Sequence, residues 1–97
     1  MKKVFICSPL RGEVVKNQDN ARKYAREAIL QGFLPIVPHI YFTQFLNDEV
    51  EEERNLGIRA GIELLNECDE MWIYGKPSEG MIREIESFGG KKVWKNI

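Results

Sequence analysis

The sequence has few of the residues and patterns that mark several large protein classes. It contains two cysteines, one histidine and no apolar run long enough to cross a membrane. Its formal net charge at pH 7 is −1, and acidic and basic residues are interspersed along the chain. These features exclude a disulfide-rich scaffold and argue against a membrane protein. The sequence has no basic stripe, so we do not expect a nucleic acid polymer as its partner.

The two cysteines are predicted to be reduced. Cys7 ends one predicted strand and Cys68 begins another, so in a parallel sheet they lie at opposite ends and cannot form a disulfide. Reduced thiols and the lack of a signal-peptide pattern favour a cytoplasmic protein. The chain of 97 residues is long enough for one domain, residues 1–97. Because so short a chain buries a modest core, we expect a homodimer or a higher homo-oligomer.

Short apolar runs alternate with amphipathic segments along the chain. The apolar runs typical of strands occupy residues 3–7, 33–37, 71–74 and 92–94. This alternation predicts a flavodoxin- or Rossmann-like three-layer α/β/α fold with a four-stranded parallel sheet. Pro35 in the second strand favours an edge position, so the predicted strand order is 2-1-3-4.

Three helices are predicted between these strands. The first starts at Asp19 or Asn20, or a few residues earlier, and ends at Gly32. The second covers about residues 51–66, and the third follows Ser78, a good N-cap residue. Their predicted inner faces contain Ala21, Tyr24, Ala25, Ala28 and Ile29 in the first helix, Leu56, Ile58, Ala60, Ile62, Leu64 and Leu65 in the second, and Met81, Ile82, Ile85 and Phe88 in the third.

The loops after the first and third strands are predicted to form a ligand site. Ligands of open parallel sheets bind beyond the carboxyl ends of the strands, where the strand order reverses. The two loops here read Ser8-Pro9-Leu10-Arg11-Gly12 and Gly75-Lys76-Pro77-Ser78-Glu79-Gly80. Their small residues let backbone amides approach a ligand, a helix N-terminus favours an anion, and Arg11 matches a phosphate. The simpler alternative is a pair of ordinary turns with a surface arginine.

Two titratable residues are candidates for chemistry. Glu84 lies one helical turn after Gly80, where its carboxylate could attack an electron-poor sugar carbon. Alternatively, Glu84 is a solvated residue between its neighbours Arg83 and Glu86. His39 follows the second strand and is a candidate acid–base group or ligand contact, or else a structural histidine. No second metal ligand has useful spacing from His39, so we predict neither a metal nor another cofactor.

These motifs together resemble the nucleoside 2-deoxyribosyltransferase superfamily, which includes the deoxynucleoside 5′-monophosphate N-glycosidases. Residues 5–12 are similar to its first strand and phosphate or sugar loop. Residues 68–73 and 78–85 are similar to its later strand, its Ser-x-Gly turn and the helix that carries the nucleophilic glutamate. The resemblance implies that Glu84 is the nucleophile and that Arg11, Gly12, Ser78 and Gly80 bind the phosphate or sugar end. Ser8, Pro9 and His39 complete the predicted substrate-binding set.

The implied activity is that of a nucleoside or nucleotide N-glycosidase or 2-deoxyribosyltransferase. The chain departs from the superfamily at Gly61, where an aspartate is usual, and at Phe5, where a tyrosine is common. The segment 38–42, with Asp48 and Arg54, resembles an uncharacterised branch. A nucleotide-binding or sensor domain without turnover is the second interpretation. The third is another small-molecule enzyme or an assembly protein, whose aromatic segment between Pro38 and Asp48 covers the site or contacts another subunit.

Overall fold

A four-stranded parallel sheet organises the computed structural model, which describes residues 1–95. The strand order is β2-β1-β3-β4, and every neighbouring pair is parallel, so both the predicted α/β class and the predicted order are confirmed. The elements are β1 (Lys3–Cys7), α1 (Val14–Leu30), β2 (Leu34–Ile36), α2 (Pro38–Tyr41), a 3-10 turn (Phe42–Gln44), α3 (Glu51–Leu65), β3 (Glu70–Tyr74), α4 (Glu79–Ser87) and β4 (Lys91–Lys95).

Apolar side chains cover both faces of the sheet. On one face, Val4 and Ile6 pack with Ala28 of α1. On the other face, Phe5 packs with Leu65 of α3. Full burial of a large apolar side chain contributes about 1.5–3 kcal/mol, so this two-sided burial explains why β1 and β3 read as unbroken apolar runs.

Helix α1 starts earlier than Asp19 or Asn20, which is the second of the two predicted alternatives. It begins at Val14, and the backbone N–H of Asn17 already donates to the carbonyl of Glu13. The first turn of α1 has no side-chain cap, and the side chains of Asn17 and Gln18 bind neighbouring segments of the chain instead. The predicted helix end is confirmed, because Gly32 has a φ of +90°, which a residue with a side chain adopts only at a cost.

Three apolar residues placed on inner helix faces are exposed. Ile29 of α1, Leu56 of α3 and Ile82 of α4 retain 42%, 51% and 44% of their accessible surface. The other three residues predicted for the inner face around α4 lie as expected, since Met81 and Phe88 are buried and Ile85 packs against the core. Glu84, one turn before Phe88, also lies on the inner side, against Cys7.

Neither a membrane-spanning helix nor a disulfide is found in the part of the chain that the structure describes. None of the helices in residues 1–95 is both long enough and apolar enough to cross a membrane. Cys7 and Cys68 both carry free thiols.

Candidate functional site

A cavity of about 460 Å³ lies beyond the carboxyl ends of β1 and β3, where the strand order reverses. This volume is in the range typical of small-molecule sites. The structure places seven of the eight predicted site residues around it: Ser8, Arg11, Gly12, His39, Ser78, Gly80 and Glu84. Pro9 is the exception and does not line the cavity, since it is the next residue, Leu10, that faces it.

The loop after β1 is held in place by α1. Asn17 donates hydrogen bonds from Nδ2 to the carbonyl oxygens of Leu10 and Arg11, at 3.0 and 3.2 Å. Gly12 then turns the chain into the helix with a φ of +92°, a conformation that favours glycine. Asn17 therefore fixes the backbone from which the Arg11 side chain extends.

The guanidinium of Arg11 pairs with a carboxylate from the opposite side of the cavity. Its Nε lies 3.5 Å from Oδ2 of Asp48, which precedes α3. Arg54, in the first turns of α3, also lines the cavity and is half-buried, and no ion pair joins it to another residue within 1–95. The cavity wall thus has two arginines and four acidic residues, Asp48, Glu53, Glu79 and Glu84. Arg11 and Arg54 are the side chains there that can bind an anionic ligand.

Replacing Asp48 with asparagine is expected to strengthen anion binding. The substitution frees Arg11 from a competing carboxylate, and exposed ion pairs of this kind are worth roughly 0.2–1 kcal/mol. We expect inorganic phosphate to bind about 1.5- to 5-fold more tightly in calorimetric titrations. The matched control is Asp19→Asn, which breaks the ion pair with Arg22 outside the cavity. Equal changes in both variants would show that Asp48 does not act at the site.

The N-terminus of α4 forms the opposite wall. The backbone N–H of Met81 donates to Oγ of Ser78 at 3.4 Å, and the backbone N–H of Ser78 contacts Sδ of Met81 at the same distance, so Ser78 caps the helix as predicted. The Ser78 hydroxyl keeps its own proton available for a ligand. The first backbone N–H groups of the helix, at Glu79 and Gly80, have no partner within a helix, because four N–H groups are left over at every helix start. They supply partial positive charge to the cavity.

Glu84 lies at the inner end of the cavity rather than in solvent. Its Oε1 accepts a hydrogen bond from Sγ of Cys7 at 3.6 Å. Its Oε2 lies beside Gly61 of α3, 3.5 Å from the position that a Cβ on Gly61 would occupy. Burial raises the pKa of Glu84 to about 7, against an opposing effect of the Cys7 hydrogen bond. Near neutral pH this carboxyl group therefore exchanges between its acid form and its carboxylate.

His39 is neutral at physiological pH in this structure. Burial lowers its pKa to about 4, and its Nε2 shares a 3.0 Å hydrogen bond with Oγ of Ser8. The backbone of α2 is held in turn, since Thr43 donates from Oγ1 to the carbonyl of His39 and accepts from Nε2 of Gln18, both at 2.8 Å. His39 and Ser8 can therefore hydrogen-bond a ligand, but a protonated imidazole is not available as an acid near pH 7.

The aromatic segment between Pro38 and Asp48 contributes to the cavity wall. Phe42 lines the cavity together with Leu46. The ring of Tyr41 packs against Phe42 in a tilted arrangement and that of Phe45 packs edge-to-face, and both remain exposed. The segment therefore covers one side of the cavity, which was one of its two predicted roles. Its role in subunit contact stays a prediction.

Four residues of this region were missed from the sequence: Cys7, Asn17, Asp48 and Arg54. Asn17 lies five residues after the first motif and was not singled out, and Asp48 was noted only for its resemblance to an uncharacterised branch. Arg54 lies in a helix start rich in glutamates, where a basic residue within an acidic run is a weak signal. Cys7 reads as part of an apolar strand. Each acts only through the tertiary fold.

The cavity does not have the ligands of a metal site. Within residues 1–95, no three His, Cys, Asp or Glu side chains are grouped so that they could hold a metal ion. Cys7 is also unsuited to act as a nucleophile, because burial and the neighbouring Glu84 raise the pKa of its thiol far above the usual range. Of the two groups in this contact, Glu84 is the one that ionises near neutral pH.

Comparison with known proteins agrees with this fold. The structure is similar to that of a 2-deoxyribosyltransferase from Bacillus psychrosaccharolyticus, with a TM-score of 0.60 and 17% sequence identity over 88% of this chain. The chain spans 63% of the length of that protein, and the likeness is one of fold. No relative with a curated description matches the sequence. Residues 2–93 match the model of a domain of unknown function, DUF7768, and the chain therefore belongs to the DUF7768 family.

Proposed function

We propose that this protein cleaves the N-glycosidic bond of a nucleoside or nucleotide, with Glu84 as the nucleophile. The observation that carries the proposal is the inward carboxylate of Glu84, which lines a cavity bounded by the Arg11 loop and the N-terminus of α4. A carboxylate next to an anion-binding helix start is suited to a substrate with a phosphate at one end and a reactive sugar carbon nearby.

The reaction takes place in two steps. In the first, a carboxylate oxygen of Glu84 forms a bond with the anomeric carbon while the carbon–nitrogen bond breaks. The base leaves with the electron pair of that bond and takes up a proton. In the second, water bonds to the anomeric carbon while the bond between that carbon and the Glu84 oxygen breaks, and Glu84 keeps the electron pair as a carboxylate. The water loses its proton to the solvent. A second base in place of water gives transfer instead of hydrolysis.

The cavity wall supports one orientation of the substrate. Cations and free backbone N–H groups, from Arg11, Arg54 and the start of α4, suit the phosphate. Apolar side chains, from Phe42 and Ile58, suit the flat base. With these ends fixed, the sugar lies between them and within reach of Glu84. The fold shared with a 2-deoxyribosyltransferase and the sequence resemblance to that superfamily support the same assignment.

Release of free base tests the proposal. The purified protein is incubated with a panel of deoxynucleoside 5′-monophosphates and the corresponding nucleosides, and the free base is measured by chromatography. We expect release from at least one of these substrates. Because the nucleophile must be ionised, kcat/KM is expected to rise with pH through about 7, the raised pKa of Glu84.

The alternative is a nucleotide-binding domain without turnover. It is favoured by Gly61, which lies beside Oε2 of Glu84 at the position where the resembling enzymes usually have an aspartate that contacts the sugar and assists proton transfer. Calorimetric binding of a nucleotide without any release of base would support this alternative and contradict the proposed catalysis.

Replacing Arg11 with alanine is expected to affect phosphorylated ligands selectively. A charge-assisted contact contributes roughly 1.5–3 kcal/mol, so affinity for a nucleoside monophosphate should fall about 10- to 100-fold while that for the nucleoside changes little. Binding is measured by calorimetry for both ligands. Arg22→Ala, which removes an exposed, ion-paired arginine outside the cavity, is the control. Equal losses for the two ligands would remove the phosphate assignment.

A further inference from the structure

The thiol of Cys7 is buried against the carboxylate of Glu84. Cys7 is the last residue of β1 and is 0% exposed. Its Sγ lies 3.6 Å from Oε1 of Glu84, within the longer distance that sulfur hydrogen bonds have. The two residues are 77 positions apart in the sequence, so only the packing of α4 on the sheet brings them together.

The other side of the Glu84 side chain is confined by α3 and α2. Gly61 of α3 lies against Oε2, and Pro38 of α2 fills the space next to Gly61, 3.6 Å from the position of a Cβ there. A larger residue at 61 would occupy space beside the carboxylate. The carboxylate thus has a thiol donor on Oε1 and, at Oε2, a neighbour without a side chain.

A purely structural role for Cys7 does not account for this contact. A cysteine in a core behaves as a small apolar residue, and an apolar residue of similar size would fill the same space under the sheet. Such a residue would leave Oε1 of a buried carboxylate without a donor, and an unsatisfied buried charge is costly. The thiol also stays protonated at physiological pH, since burial and the charge of Glu84 both disfavour the thiolate. Its proton is therefore available to the carboxylate.

We propose that Cys7 is a positioning residue, whose S–H group holds Oε1 of Glu84 so that Oε2 is left free to attack the sugar carbon. This role rests on the function proposed above. In the resembling enzymes a tyrosine at the position of Phe5 often supports the nucleophile. In this protein the thiol at the end of β1 would support the Glu84 carboxylate instead. Phe5 itself packs in the hydrophobic core with Leu65 and Met71.

A donor on the carboxylate stabilises its ionised form. The S–H group therefore lowers the pKa of Glu84 and partly offsets the effect of burial. Other charged or titratable groups reach the same cavity from the elements packed around it: Arg11 after β1, His39 in α2, Asp48 before α3, Glu53 and Arg54 in α3, and Glu79 in α4. Glu84 itself belongs to α4, and Cys7 is the group that forms a hydrogen bond with its carboxylate within residues 1–95.

The test is a direct titration of Glu84 in the whole protein. The side-chain carboxyl carbon is followed by NMR after ¹³C labelling of glutamate, and its signal is assigned with Glu84→Gln. Cys7→Ala removes the donor, and Cys7→Ser keeps one. Cys68→Ala is the matched control, because the Cys68 thiol donates to the Leu64 carbonyl at the opposite end of the sheet. Thermal unfolding is recorded for each variant.

We expect the pKa of Glu84 to rise by roughly 0.5–1 unit in Cys7→Ala, and less or not at all in Cys7→Ser and Cys68→Ala. The acidic limb of the pH–rate profile for base release should move in the same direction. An unchanged pKa in a folded Cys7→Ala variant would overturn the inference. The NMR titration does not depend on turnover, so an inactive wild type would contradict the proposed catalysis without affecting this measurement.

A second measurement needs no substitution at position 7. In the Cys68→Ala background only one thiol remains, and its S–H stretching band is recorded by infrared spectroscopy across the titration of Glu84. If the thiol donates to the carboxylate, its S–H stretching band should shift to lower frequency as Glu84 ionises. This shift should be absent in Glu84→Gln. A band that does not respond to pH would show that the thiol donates no hydrogen bond, and the inference would fail.

Discussion

Replacing Glu84 with glutamine is expected to abolish release of base and, at the same time, to stabilise the fold. The loss of the nucleophile should reduce kcat by about 10³-fold or more, since the amide cannot form the glycosyl intermediate. The gain in stability has a separate cause. Ionisation of a largely buried carboxyl group is unfavourable in the folded state, and glutamine removes that cost.

The size of the gain follows from the pKa of Glu84. This pKa is about 7 in the folded protein and 4.5 as the reference for an unfolded chain, so the difference corresponds to about 3 kcal/mol once the group is fully ionised. We therefore expect Glu84→Gln to increase the free energy of unfolding by roughly 2–3 kcal/mol at pH 8 and by little below pH 4.5. The amide oxygen of glutamine can still accept the Cys7 hydrogen bond, which limits any loss from packing.

Glu86→Gln is the matched control for both effects. Glu86 belongs to the same helix but is exposed. Its substitution should leave the rate of base release unchanged. The free energy of unfolding should stay within about 0.5 kcal/mol of the wild type. Loss of stability in Glu84→Gln at pH 8 would show that the surroundings stabilise the carboxylate, and it would contradict an unfavourable effect of burial on its charge. Retention of base release would exclude Glu84 as the nucleophile.

The second large effect concerns how the free energy of unfolding depends on pH. Glu84 and His39 contribute to it with opposite signs, so their contributions largely cancel in the wild type. The pKa of Glu84 is raised, so its contribution to stability is fully present below pH 4.5 and is lost as pH rises through about 7. The pKa of His39 is lowered from 6.5 to about 4, so its contribution is present above pH 6.5 and is lost as pH falls through about 4. Between pH 4.5 and 6.5 the two contributions change in opposite directions.

Single substitutions should separate the two contributions. In Glu84→Gln, the free energy of unfolding is expected to rise with pH from 4 to 6.5, because His39 remains. In His39→Gln, it is expected to fall as pH rises from 4.5 to 7, because Glu84 remains. Each change should amount to roughly 2–3 kcal/mol over its range. The wild type should change less than either variant over pH 4.5–6.5.

Urea denaturation between pH 4 and 8 measures these slopes directly. The comparison uses the slope of the free energy of unfolding against pH. The absolute free energy is unsuitable, because His39→Gln also removes the hydrogen bond between His39 and Ser8. The double variant Glu84→Gln with His39→Gln should have a flatter profile than either single variant. Two single variants with slopes of the same sign would be incompatible with a buried neutral histidine and a buried carboxyl group at this site.

The position of the site could be predicted because it follows from chain order. Strands that alternate with helices must form a parallel sheet with right-handed crossovers, and Pro35 directs the second strand to an edge. Once the strand order is 2-1-3-4, the loops that carry Arg11 and Ser78 have to meet where the order reverses. These conclusions need only local patterns and topology.

The contacts within the site could not be predicted in the same way. The inner face predicted for the third helix contained Met81, Ile82, Ile85 and Phe88. The structure buries Met81 and Phe88 and packs Ile85 against the core, but Ile82 is exposed, and Glu84 lies against Cys7 and Gly61 instead. Helical spacing leaves positions at the margin of an apolar face undecided, and only the packing of the helix against its neighbours decides between them.

The sequence by itself determined the parallel sheet, its strand order and the pair of loops at the reversal point, because each depends on periodicity and on the connections between neighbouring segments. Only the tertiary structure decided that Cys7 contacts Glu84 and that Asp48 pairs with Arg11. It also decided that Asn17 holds the loop after β1 through the carbonyl of Leu10. Two of these contacts join residues far apart in the chain. They depend on how the helices pack on the sheet, and no local pattern encodes that geometry.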